Sequence, residues 1–170
     1  GGSRLMHQLT VGSELSVGLP RNLFRLQKND SAAILVAGGI GITPLLSMAQ
    51  ALYERGTAFE FHLCARSAAA TPFCQYLKQA EWSSAVRYWQ GNNKWDQAAL
   101  PEYRPGVSLY LCGPSGFMDF VQTAALQRGW PKTAIHFERF AAIRAVDAGN
   151  KPFTVELAKS GRTVSVAREQ

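Results

Sequence analysis

No apolar run in these 170 residues approaches the roughly 20 needed for a membrane-spanning helix. The opening GGSRLMHQL (1–9) also lacks the apolar stretch of a secretory signal. The expectation is a soluble, cytoplasmic protein. Cysteine is scarce: Cys64, Cys74 and Cys112 are odd in number and contain no closely spaced pair, so neither a disulfide framework nor a tetrahedral metal site is indicated. Only 18% of the residues are charged, and although the formal net charge is +6, Lys and Arg are scattered and lack an interleaved aromatic pattern. That distribution argues against nucleic-acid binding. There is likewise no Ser-His-Asp or paired-carboxylate constellation to point to acid–base or nucleophilic hydrolysis.

What is present is a core-forming pattern: 46% of residues are hydrophobic, enough for one well-buried domain with appended segments. Between Ala32 and Phe140, short apolar runs alternate with helical periodicity. AAILVAG (32–38), FEFHLCA (59–65), AVRYWQG (85–91), VSLYLCG (107–113) and TAIHFERF (133–140) read as strands. PLLSMAQALYERG (44–56), TPFCQYLKQ (71–79) and PSGFMDFVQTAALQRG (114–129) read as helices, two of them closed by Gly56 and Gly129. Strand–helix alternation of this kind predicts an α/β fold, a five-stranded parallel sheet with helices on both faces.

The two ends break the pattern. Residues 1–28 hold a short helix and then LSVGLPRNLFRL (15–26), which alternates like the closing strand of an antiparallel sheet. KPFTVELAKSGRTVSVA (151–167) alternates around Ser160-Gly161 and predicts a β-hairpin. The division expected is therefore 1–28 as the end of one neighbouring domain, 29–140 as the α/β domain, 141–151 as a small, polar linker, and 152–170 as the start of another domain.

Two turns carry the chemistry. The first strand passes into its helix through Gly38, Gly39 and Gly41, with Thr43 expected as helix cap and Pro44 at the first helical position. Backbone amides and the positive end of a helix dipole make such a turn a phosphate site. Cys112, Gly113, Pro114, Ser115 and Gly116 form a second glycine turn at the corresponding end of the fourth strand. If those strands are neighbours, the two turns wall one crevice, where open parallel sheets bind ligands.

The motifs AGGIGITPLLSM (37–48), LYLCGPSGFMD (109–119) and HFERF (136–140), in this order and spacing, resemble the ferredoxin-NADP reductase superfamily. They are most similar to its oxygenase-reductase branch, that of the phthalate dioxygenase and vanillate demethylase reductases. The resemblance covers essentially the whole chain. It implies a flavin barrel, a nicotinamide-nucleotide domain and a plant-type ferredoxin domain, with residues 1–28 ending the barrel and 152–170 supplying the first ferredoxin hairpin. It implies a reductase that passes hydride from NADH to FMN and then single electrons through a 2Fe-2S cluster to a terminal oxygenase. The cluster ligands and the barrel's flavin motif are absent from these residues.

The resemblance also implies residue roles. Thr43 orients the nicotinamide, Cys112 lies near the carbon that gives up hydride as a positioning residue, and Glu138 supplies polar contacts. Phe140 packs at the flavin or nicotinamide, Phe117 contacts adenine, and Gly2 and Ser3 hold flavin phosphate. His136 reads as structural. Arg66 and Ser67 end the second strand, where the adenosine ribose is read; a base without an acid there points to NADPH, whereas the resemblance implies NADH. FAD in place of FMN, a two-domain flavin reductase without a ferredoxin unit, and a nucleotide-binding module without redox activity are the alternatives.

Overall fold

The computed structural model describes residues 2–140 and 152–166, apart from the side chain of Ser3. The linker expected at 141–151 and the last four residues of the final segment lie outside the described residues.

Five strands form one parallel sheet: β1 (Ala32–Gly38), β2 (Ala58–Ala65), β3 (Val86–Gln90), β4 (Val107–Cys112) and β5 (Ile135–Glu138). Their order is β3-β2-β1-β4-β5. The chain builds outward from β1 through β2 to β3, then crosses back to lay β4 on the other side of β1. The direction of winding reverses between β1 and β4, which is where open α/β sheets leave a crevice at their carboxyl ends.

Central strands are apolar on both sides because both faces are covered. On one face Ala33, Leu35, Ala37, Phe61, Leu63, Tyr110 and Cys112 pack with Ile42, Leu45, Met48, Ala49 and Leu52 of α2 (Ile42–Glu54) and Leu77 of α3 (Cys74–Gln79). On the other, Ile34, Val36, Leu109, Leu111 and Ile135 pack with Met118, Val121, Ala124 and Ala125 of α4 (Ser115–Gln127), joined by Trp95, Leu100 and Trp130. The α/β expectation is met, with helices on both faces.

The second helix is shorter than its apolar pattern: α3 starts at Cys74, and Phe73 before it has a left-handed φ of 58°. Pro72 has no amide hydrogen to give a helix and disfavours helical geometry at the residue before it, so the segment from Thr71 makes turns instead.

The amino-terminal segment differs more. A five-residue helix, α1 (Gly2–Met6), includes Gly2 and Ser3 within it, so Ser3 does not cap it from outside. Residues 15–26 form no strand. An alternating sequence makes a strand only when a neighbouring strand accepts its backbone hydrogen bonds, and here Val17 and Leu19 are 82% and 93% exposed. From Phe24 onward the segment packs on the α/β core, where Phe24 and Leu26 join the α2 face. Gln27 donates its amide to the Tyr110 hydroxyl at 2.8 Å.

At the other end β6 (Phe153–Leu157) and β7 (Arg162–Val166) pair antiparallel with Val155 opposite Val164, forming the expected hairpin. Its connection is four residues long, 158–161, closed by Gly161 at φ 63°. No helix among the described residues is long and apolar enough to cross a membrane.

Candidate functional site

The two glycine turns meet. Three glycines at the β1 exit are required for three different reasons. Gly39 takes φ 54°, the left-handed region where a side chain is strained. Gly38 has ordinary dihedrals, but a Cβ there would lie 2.7 Å from Cδ1 of Phe117 and 3.0 Å from Cδ of Pro114. A Cβ on Gly41 would lie 2.2 Å from the carbonyl oxygen of Cys112 and 2.6 Å from the nitrogen of Gly113. Gly113 is held as tightly from the other side: its Cβ would come 3.0 Å from Cα of Gly38. Backbone packs on backbone at the winding reversal, and only glycine leaves the room.

The helix entry is not as its sequence suggests. Gly39–Gly41 form one turn of 3-10 helix, and α2 begins at Ile42 with Gly41 as its cap. Thr43 is therefore inside the first turn, where its hydroxyl donates to the Ile40 carbonyl at 3.1 Å. Pro44 also sits in that turn, where its missing amide hydrogen costs nothing. The glycine turn can enter the helix directly, so no side-chain cap is needed.

Beside the turns opens a cleft of about 600 Å³. Its lining includes Gly38 and Gly39 from the first turn, Pro114 and Phe117 from the second, and Cys64, Ala65 and Arg66 from the end of β2. Trp89, Gly91, Lys94, Trp95 and Phe120 complete the far wall. The lining has two cations, Arg66 and Lys94, and no carboxylate, so it favours an anion. Its aromatic side offers flat apolar surface; Trp95 meets Phe120 edge to face with centroids 5.9 Å apart. Sequence reading found Arg66, Phe117 and the glycines. It missed Trp89, Trp95, Lys94 and Phe120; the one local mark is that Trp89 and Trp95 flank the Gly91 turn, while Phe120 lies on α4.

Other candidate residues lie beyond this lining. Ser67 accepts the Ala70 amide at its hydroxyl and the Thr71 hydroxyl at its carbonyl, closing a turn. Cys112 and Glu138 are lateral neighbours on β4 and β5. The Cys112 side chain is fully buried, and burial, then the nearby Glu138 charge, pushes its thiol up to about 11. Burial pushes the Cys64 thiol up to about 12. Both cysteines thus remain protonated at neutral pH, which suits positioning and not nucleophilic attack. Phe140 is exposed just after β5.

His136 stacks on Tyr110, with centroids 5.0 Å apart, over a small polar hollow that includes Asp30 and Ser108. Among the described residues no group of three or more His, Cys, Asp or Glu side chains could hold a metal ion.

No protein-family model matches the sequence. Individual relatives do. The chain is 39% identical over 176 residues to a vanillate O-demethylase oxidoreductase of Pseudomonas sp. (strain HR199 / DSM 7063), an alignment covering 100% of this chain and 56% of the relative. It is 36% identical over 173 residues to a phthalate dioxygenase reductase of Burkholderia cepacia, covering 98% of this chain and 53% of that one. A solved phthalate dioxygenase reductase superposes with a TM-score of 0.68 at 36% identity over 89% of this chain and 49% of its own. That structure is described as a modular one for electron transfer from pyridine nucleotides to [2Fe-2S]. The chain spans about half the length of the curated relatives it matches. Along its whole length the chain is similar in sequence to about half of these reductases, and it shares the fold of the solved one.

Proposed function

We propose that residues 29–140 bind a nicotinamide dinucleotide for an oxygenase reductase. The observation that carries this reading is the contact of the two glycine turns at the winding reversal, beside an aromatic cleft with two cations and no acid. A Cβ at Gly38 would push on Phe117, a cleft-wall residue, so the space is kept open by the absence of a side chain. Diphosphate suits the backbone of Gly38 and Gly39 with Arg66 and Lys94 as countercharges, and adenine suits the aromatic wall that includes Phe117. Cys112, Gly113 and Glu138 at the ends of β4 and β5, with Thr43 in the first turn of α2, are assigned to the nicotinamide end. There a buried, protonated thiol and a helix-start hydroxyl fix orientation without supplying a base.

Bound in the complete protein, reduced nicotinamide supplies a hydride to a flavin, FMN on the resemblance, which with a 2Fe-2S cluster delivers single electrons to a terminal oxygenase. This chain's part is to bind, orient and exclude water. Residues 1–28 as the barrel's end, 152–170 as the first ferredoxin hairpin, Gly2 and Ser3 at a flavin phosphate and Phe140 at the rings belong to the same proposal, supported by the relatives' greater length.

NADH is the donor that the resemblance implies. Arg66 and Lys94, with no carboxylate beside them, favour a second reading in which the 2′-phosphate of NADPH is accepted as well. Charge-assisted hydrogen bonds of about 1.5–3 kcal/mol make Arg66→Asp lower NADPH affinity by about tenfold or more relative to NADH. Fluorescence titration of the chain with each dinucleotide reads that ratio; one that does not move removes Arg66 from ribose recognition.

A further inference from the structure

His62 does not belong in the core of a parallel sheet on hydropathy grounds. It lies on β2, is 2% exposed, and pairs in register with Val36 on one side and Arg87 on the other. A buried imidazole needs every polar atom satisfied, and here the partners are specific. Nδ1 accepts indole N–H bonds from both Trp89, at 3.1 Å, and Trp95, at 3.2 Å. Nε2 lies 3.3 Å from Oε2 of Glu60.

Two donors converging on Nδ1 require that atom to be bare, so the proton sits on Nε2 and is donated to Glu60. The His62 and Trp89 rings are nearly parallel, 6° apart, with centroids separated by 5.8 Å. Both indoles line the cleft. Trp89 lies on β3, whereas Trp95 stands in the loop after it, so one acceptor ties a strand residue to a loop residue.

From this geometry we infer that His62 is a positioning residue for dinucleotide binding, a latch that holds Trp89 and Trp95 together as one wall of the cleft. The inference rests on the reading of that cleft as the nucleotide site, and it adds a switch. Protonation places a hydrogen on Nδ1, which then faces two donors and can keep neither bond. The charged groups around the imidazole are Glu60, which favours protonation, and Arg87, which opposes it. Burial is the largest influence and holds the His62 pKa below its ordinary value of 6.5. Because the folded state resists the proton, the stability His62 contributes is complete above 6.5 and is lost as pH falls from there through the lowered folded value.

The other two indoles are internal controls. Trp82 donates to the side-chain oxygen of Gln50 and Trp130 to the Pro101 carbonyl, neither of which titrates. In proton–nitrogen NMR spectra of the full chain, the indole signals of Trp89 and Trp95 should shift together as pH falls below 6.5, with one midpoint, while those of Trp82 and Trp130 stay in place. Separate midpoints, or no shift at Trp89 and Trp95, would overturn the latch.

The binding arm uses ADP-ribose, which fills the adenosine and diphosphate positions without nicotinamide. Wild-type affinity should fall with the NMR midpoint. His62→Phe should weaken binding by about tenfold at neutral pH, while His62→Gln, whose amide oxygen accepts indole hydrogens, restores most of the affinity and removes the pH dependence. Wild-type binding that His62→Phe leaves intact sinks the latch alone. Failure of the wild-type chain to bind ADP-ribose at all removes the cleft reading and the latch with it.

Discussion

Gly41→Ala is expected to cost about 3 kcal/mol of stability and to abolish measurable dinucleotide binding. The new carbon would sit 2.2 Å from the Cys112 oxygen and 2.4 Å from its carbonyl carbon. These are backbone atoms of a central strand, so no rotamer change relieves the clash. Either α2 must lift from the sheet or the end of β4 must move, and both displace the turn that faces the cleft. Gly38→Ala provides the contrast: its closest neighbours are side-chain atoms of Phe117 and Pro114, at 2.7 and 3.0 Å. Phe117 can swing, but into the cleft it lines. Thermal unfolding and dinucleotide titration separate the two cases: Gly41→Ala loses both stability and binding, whereas Gly38→Ala loses mainly binding. A Gly41→Ala protein that melts like the wild type would mean that the turns are not packed as described.

The second large effect is at the opposite end of the same strands. Asp30 accepts from Ser108 Oγ at 2.7 Å and from the Tyr110 hydroxyl at 2.6 Å, and that hydroxyl in turn accepts the Gln27 amide. Tyr110 is fully buried, and burial followed by the Asp30 hydrogen bond pushes its phenol up to about 12. Removing the carboxylate leaves two hydroxyl donors facing each other across a polar hollow. With charged hydrogen bonds at about 1.5–3 kcal/mol each and a discount for partial exposure, Asp30→Ala should cost about 3 kcal/mol. In a protein of this size that lowers the melting temperature by roughly 6–12 °C. The node also anchors residues 24–28 to the sheet through Gln27, Leu26 and Phe24. Tryptic cleavage at Arg25 and Lys28 should therefore accelerate in Asp30→Ala and much less in Asp30→Asn, which keeps an acceptor. Equal cleavage rates in wild type and Asp30→Ala would contradict the anchoring.

Where alternation of apolar runs was backed by tertiary burial, sequence and structure agree closely. All five parallel strands fall where the apolar runs place them, and Gly56 and Gly129 close α2 and α4 with φ of 67° and 81°. The glycine turns were also legible, because close approach of backbones leaves glycine as its only mark. The failures have a common cause: residues whose partners lie outside the segment being read. The strand expected at 15–26 needs a neighbour to pair with, and none is present among the described residues. Thr43 carries the residue type of a helix cap, yet the preceding 3-10 turn moves the helix start back to Ile42.

His62 was invisible because one histidine in an apolar strand says nothing until Trp89 and Trp95, 27 and 33 residues away in sequence, converge on it. The aromatic wall of the cleft is a product of that convergence and of the β3–β2 pairing, not of any local motif.

The most direct test of the central claim is calorimetric titration of the 170-residue chain with NADH, wild type beside Gly38→Val. Backbone-lined turns that grip a diphosphate predict one site per chain in the wild type, its affinity falling as salt rises because Arg66 and Lys94 line the same cleft, and no detectable heat from Gly38→Val. Wild-type binding that the valine leaves undiminished would place the dinucleotide somewhere other than the junction of Gly38 and Gly113, and would contradict the account.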